Sequence, residues 1–124
     1  MSQALKEPDK VQILDLKDQG LTEIPIEVFQ LTSLTQLVLA GNQIEVIPLE
    51  IGQLNNLETL DLSSNYIKSI PNQIGILTNL IFLSLKNNKL TSLPNQISQL
   101  PKLQSLNLYH NRLQEFPEVA TQLS

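Results

Sequence analysis

The chain has 124 residues, enough for one domain with a sizeable core, and no apolar run long enough to cross a membrane. Its net charge of −4 argues against an electrostatic nucleic-acid footprint. The absence of cysteine excludes a disulfide framework, a cysteine zinc site and thiol catalysis, without deciding the redox compartment.

Residues 1–10 contain Ala4 and Leu5, then Pro8, and no signal-peptide core. They read as a short N-terminal cap, with Leu5 laid over Leu14 and Leu16. Removal of a leader would place the protein at the cell surface or outside the cell; otherwise it is cytoplasmic. At Val11 a pattern begins that restarts at Leu34, Leu57, Leu80 and Leu103, a constant step of 23 residues (34 − 11) with no insertion or deletion. The expected organisation is a cap at 1–10 and five repeats, 11–33, 34–56, 57–79, 80–102 and 103–124. Self-similarity at this period marks a solenoid, in which each unit packs only on its neighbours.

Within each repeat the places can be numbered from its first residue. Places 3 to 7 alternate outward and inward, the period of two that a strand requires. Leu14, Leu37, Leu60, Leu83 and Leu106 fill place 4, and Leu16, Leu39, Leu62, Leu85 and Leu108 fill place 6. Place 9 is Gln19 in the first repeat and Asn42, Asn65, Asn88 and Asn111 in the others. A buried amide carries both donors and an acceptor, so it can satisfy backbone groups of its own turn and of a neighbour's. Place 15 is Pro25, Pro48, Pro71, Pro94 and Pro117. A fixed φ and a missing N–H suit the first position of a short helical turn, with places 14, 18 and 21 on its inner side. Seven places (1, 4, 6, 11, 14, 18 and 21) should face the interior, and all 35 such positions are apolar.

The last repeat stops at Ser124 with no added cap. An uncovered edge leaves Leu106, Leu108, Leu113 and Phe116 only partly sheltered by Glu115 and Glu118, and exposes a parallel strand. Self-association through this end, or continuation into a longer chain, is the expectation.

The motif L-x-x-L-x-L-x-x-N-x-L-x-x-L-P-x-x-I-x-x-L, repeated from Val11 to Ser124, resembles the leucine-rich-repeat family. That resemblance implies an α/β repeat solenoid: a right-handed arc with a parallel sheet on the concave face and short helical or 3-10 turns on the convex face. The 23-residue form is similar to repeats of Ras-group and scribble-type scaffolds and of many bacterial proteins. The opening Ala4-Leu5, Pro8, Val11, Leu14-Asp15-Leu16, Leu21 and Ile24-Pro25 resembles leptospiral leucine-rich-repeat proteins. It implies a secreted or surface-exposed bacterial protein, an adhesin or virulence-associated binder. An intracellular scaffold of Ras-group type is the alternative. Departures from the pattern are Gln19, Ala120 at place 18, and the small number of repeats.

Residues that the repeat does not require are the informative ones. The outward strand rows read Ile13, Gln36, Thr59, Phe82, Ser105 at place 3; Asp15, Val38, Asp61, Ser84, Asn107 at place 5; and Lys17, Ala40, Ser63, Lys86, Tyr109 at place 7. Phe82, flanked by Ile81 and Tyr109, reads as an exposed anchor, because aromatics dominate interface hot spots; scattered surface apolar residues also occur without any partner. Five strands at about 4.8 Å spacing offer a footprint of only a few hundred Å², against about 800 Å² per partner for a standard interface. The adjoining loops should therefore take part. The expected partner-binding set is Ile13, Val38, Asp61, Phe82, Lys86 and Tyr109 on the strands, with Tyr66, Lys89, His110 and Arg112 on the loops. Ile26, Phe29 and Leu49 form a competing patch on the outer turns.

Charge is divided unevenly. Residues 1–62 hold ten acids and three bases (−7), and residues 63–124 hold two acids and five bases (+3). Between Asp61 and Glu115 there is no acid, while Lys68, Lys86, Lys89, Lys102 and Arg112 fall there. Such asymmetry can steer an encounter.

Three function classes are weighed on these residues. A non-catalytic module binding a protein ligand fits the fold and surface. Catalysis has little to work with: His110 is the sole neutral-pH base, and no cofactor-binding loop or metal-ligand spacing occurs. Asp15 and Asp61 share a row, but two repeats separate them by about 10 Å. Nucleic-acid or lipid-surface binding through the basic half is disfavoured by bases spread thinly along the chain. None of the eleven asparagines begins an N-x-S/T sequon.

Overall fold

The structure, a computed structural model, describes residues 10–113. The front cap expected before Lys10, the partial cover by Glu115 and Glu118, and the edge at Phe116 lie outside the described residues. Five three-residue strands, β1 (Ile13–Asp15), β2 (Gln36–Val38), β3 (Thr59–Asp61), β4 (Phe82–Ser84) and β5 (Ser105–Asn107), form one sheet in the order β1-β2-β3-β4-β5. Every pairing is parallel and steps by one repeat: Leu14 faces Leu37, which faces Leu60, then Leu83, then Leu106. The strands are shorter than the expected places 3 to 7, but the ladder outlasts them. Leu16 N–H donates to the Val38 carbonyl (2.8 Å) and Asp18 N–H to that of Ala40 (3.0 Å).

A parallel pair needs a crossover connection, and here the crossover is a single 3-10 turn per coil. The turns are Ile26–Gln30, Leu49–Gln53, Asn72–Ile76 and Asn95–Gln99. Proline stands one position earlier than expected. Pro25, Pro48, Pro71 and Pro94 are the capping residues, with extended ψ of 132 to 162°, and sit outside the helical turn. Their carbonyls accept from Val28, Ile51, Ile74 and Ile97 at 3.0 to 3.2 Å. These four donors belong to place 18, whose side chains point into the core. Proline thus starts the turn through its carbonyl and its fixed φ, while its missing N–H needs no partner.

The interior follows the repeat closely. Of the 32 interior positions among the described residues, 24 are buried, and the other eight are partly buried. Seven of those eight (Val11, Leu14, Leu16, Leu21, Leu106, Leu108, Leu113) belong to the first and last coils, at the two ends of the described residues. Phe29 is the departure: the sequence placed it on the outer surface, yet it is only 4% exposed. It stands at the turn place that holds Gly52 and Gly75 in the next two coils.

Asparagine closes the turn in coils two to five. Asn65 is buried; its Oδ1 accepts from Ile44 N–H of the preceding coil (3.0 Å), and its Nδ2 donates to the carbonyls of Leu39 and Leu62 (3.0 and 3.1 Å). Asn42, Asn88 and Asn111 repeat the arrangement. At the front end Gln19 is exposed, and its backbone N–H donates to Asn42 Oδ1 (3.0 Å).

Two stability predictions follow from this packing. Leu60→Ala opens a cavity in a fully buried row and should cost about 2–5 kcal/mol. Asn65→Ala strands a buried N–H and two carbonyls and should cost about 1–3 kcal/mol, whereas Gln19→Ala should stay within about 0.5 kcal/mol. Urea unfolding of the three variants reads all of these, and a Gln19→Ala loss as large as that of Asn65→Ala would refute the ladder's role.

Candidate interaction surface

The outward rows of the sheet do not form a uniform platform. Ile13 is 63% exposed at the outer edge of β1, and Val38 is half-buried in β2 beside it. Both lie on the first two coils, and Val38 stands in register with Asp61 of the third. Phe82 is half-buried, less open than the sequence reading held; in register it stands between Thr59 and Ser105. Ser84, at an outward place, is buried, because its short side chain lies in a concave sheet between the longer Asp61 and Asn107. Tyr109, just beyond β5, is 64% exposed, and Lys86 is exposed one coil before it.

Asp61 has local work that the sequence reading did not foresee. Its Oδ1 accepts from Ser63 N–H (3.0 Å) and from Ser63 Oγ (2.6 Å). Asp15 and Asn107 do the same for the N–H groups of Lys17 and Tyr109, each at 3.0 Å. These are side-chain turns spanning two residues, for which Asp and Asn are suited. The recurrent Asp/Asn of place 5 was the available sign. The acids of this row are therefore tied to the backbone beside them.

The loop after each strand is set by a left-handed residue at place 8: Asp18, Gly41, Ser64, Asn87 and His110, with φ between 56 and 72°. Short polar side chains and glycine tolerate this region best. The chain then turns so that place 10 of each coil donates to the place 11 carbonyl of the coil before. Tyr66 N–H reaches Ile44, Lys89 N–H reaches Ile67, and Arg112 N–H reaches Leu90, at 2.8 to 2.9 Å. Tyr66, Lys89 and Arg112 thereby stand in one row, one per coil.

Two aromatic contacts lie on this side of the molecule. Lys89 Nζ sits 4.7 Å from the ring centroid of Tyr66, a cation–π distance. Tyr109 and His110 meet edge to face, centroids 4.1 Å apart at 64°. Of the ten candidates, eight thus belong to coils three to five: Asp61, Phe82, Lys86 and Tyr109 on the strand side, Tyr66, Lys89, His110 and Arg112 on the loops. Ile13 and Val38 stand at the other end, and Asp61 is engaged locally. Among the described residues, no three His, Asp or Glu side chains converge to hold a metal, and no helix is long and apolar enough to cross a membrane.

Comparison with known proteins agrees with this architecture. The family profile described as a leucine-rich repeat region matches residues 36–124. A Leptospira interrogans leucine-rich-repeat protein of known structure is 39% identical over 99% of this chain, with a TM-score of 0.74. An internalin from Listeria monocytogenes superimposes with a TM-score of 0.82 at 26% identity over the whole chain. The leucine-rich-repeat ectodomain of the receptor kinase SOBIR1 from Arabidopsis thaliana is 30% identical over 85% of the chain, with a TM-score of 0.73. This chain spans 37%, 35% and 59% of their respective lengths. No curated protein sequence matches it. The profile match covers well over half of the residues and the solved relatives share the coil, so the chain belongs to the leucine-rich-repeat family.

Proposed function

We propose that this chain is a non-catalytic protein-binding module whose contact surface is the concave side of coils three to five together with the loops that follow their strands. The observation that carries this reading is the Tyr66–Lys89–Arg112 row. It sets an exposed aromatic and two cations in register, one carrying the other's ring at 4.7 Å, in a stretch of chain without an acid. Tyr109, His110, Phe82 and Lys86 extend the surface onto the sheet. Tyrosine and arginine are enriched among the residues that dominate binding energies, and the cations favour a ligand with acidic groups.

Strands alone offer too small a footprint for a standard interface. The loop row widens the surface on one edge, which supports contact by strands and loops together. The Leptospira and Listeria relatives support a bacterial surface or secreted binder, and the Arabidopsis ectodomain shows the same fold serving a receptor. Protease treatment of intact cells tests that placement: digestion supports display outside the cell, and full protection contradicts it.

The contact surface is tested by affinity capture with Phe82→Ala plus Tyr109→Ala, and separately with Tyr66→Ala plus Lys89→Ala. Each pair should lower capture of the same partners by roughly tenfold or more, about 1.4 kcal/mol, with little change in melting temperature. Undiminished capture by both pairs would move the interface elsewhere. The association rate should also fall steeply as salt is raised; a rate indifferent to salt would remove the cations from the mechanism.

A further inference from the structure

The outer side of the first two coils breaks the repeat in three ways at once. At place 16 the exposed residues are Ile26 and Leu49, where the next two coils have Asn72 and Asn95. At place 17 stand the half-buried Glu27 and the exposed Glu50, where the next two have Gln73 and Gln96. At place 19 Phe29 replaces the glycine of the second and third coils. Those glycines let the turns close up: a Cβ on Gly52 would lie 3.1 Å from Ile76 Cδ1, and one on Gly75 would lie 2.9 Å from Gln96 Cβ. The first two turns, with Phe29 at this place, pack less closely than the later pairs.

The result is a groove of about 500 Å³ between the first two coils. Ile26, Phe29 and Val46 supply an apolar lining, and Glu23, Glu27 and Glu50 stand around it. Ile26 and Val46 are 68% and 69% exposed, so the apolar lining is open to solvent. Among the described residues none of the three carboxylates has a hydrogen bond or an ion pair. Apolar surface and uncompensated negative charge thus meet in one groove, and the repeat requires neither. Three carboxylates around an apolar trough complement a chain that brings cations and an apolar side chain together.

We propose that this groove docks a basic peptide segment of a partner protein, with a bulky apolar side chain seated against Ile26 and Val46 and its flanking lysine or arginine groups on Glu23, Glu27 and Glu50. The site is distinct in position and in charge from the Tyr66–Lys89–Arg112 row, so one module would hold two partner segments of opposite sign. Binding here should be modest on its own, because exposed ion pairs contribute little individually and one apolar anchor is small against the cost of association.

The test is fluorescence anisotropy on the whole chain with three short labelled peptides: alternating Lys-Leu, alternating Lys-Ser and alternating Glu-Leu. The Lys-Leu peptide should bind, and the other two should bind at least roughly tenfold more weakly, about 1.4 kcal/mol. Glu23→Gln with Glu27→Gln and Glu50→Gln should weaken the Lys-Leu peptide by a similar factor, as should Ile26→Ser with Val46→Ser. Phe82→Ala with Tyr109→Ala should leave it unchanged, which separates this site from the concave surface. Equal binding of the Glu-Leu peptide would overturn the proposal, as would unchanged binding by both groove variants. So would a concentration-dependent dimer that the glutamine substitutions dissociate, since the occupant would then be a second copy of this chain.

Discussion

The asparagine of coils two to five, buried at Asn42, Asn65 and Asn88, makes the interaction on which the remaining structure depends. Its acceptor oxygen takes the place 11 N–H of the coil before, and its amide donates to carbonyls of both coils. An aspartate would lack the donors and a leucine would lack everything, so the amide is chemically required at this spot. The place 11 residue is then gripped twice, since its carbonyl also accepts from place 10 of the next coil, as Ile67 does from Lys89. Through that double grip the asparagines position Tyr66, Lys89 and Arg112 over one another. The interaction row is thus a by-product of how the turns are satisfied.

Core and surface divide the labour cleanly. The leucine rows stack parallel strands in register and leave each coil little freedom to shift, because a one-residue slip would turn the entire apolar set outward. What remains variable is the outward side chain at each place. The chain uses that freedom unevenly: acids and apolar residues gather on the outer side of the first two coils, and cations and tyrosines gather on the loop side of the last three. In a repeat protein such placement sets up a polarity along the solenoid without altering its backbone.

Periodicity made the interior legible in advance, since every interior position follows from one 23-residue rule and a leucine's preference for burial. Asn42, Asn65, Asn88 and Asn111 were legible for the same reason. Three features were not. Proline caps its turn from one position earlier, because the extended ψ that it adopts there depends on how the coil bends. Phe29 is buried at a turn place that the interior pattern of the repeat does not include. Asp61 is drawn into a side-chain turn with Ser63, a short-range hydrogen bond that competes with the outward role assigned to it. Of the candidate surface, the aromatic and basic loop residues were identified by being superfluous to the frame, while their alignment in a row depends on the backbone bonds between coils.

The central claim is that partners are engaged by the concave and loop side of coils three to five. Amide hydrogen exchange of the chain, free and saturated with a captured partner, measures this most directly. Added protection should fall on residues 59–66, 82–89 and 105–112, including the loops of Tyr66, Lys89 and Arg112. Protection confined to the outer turns at 26–30 and 49–53, with none on the strand and loop side, would contradict it.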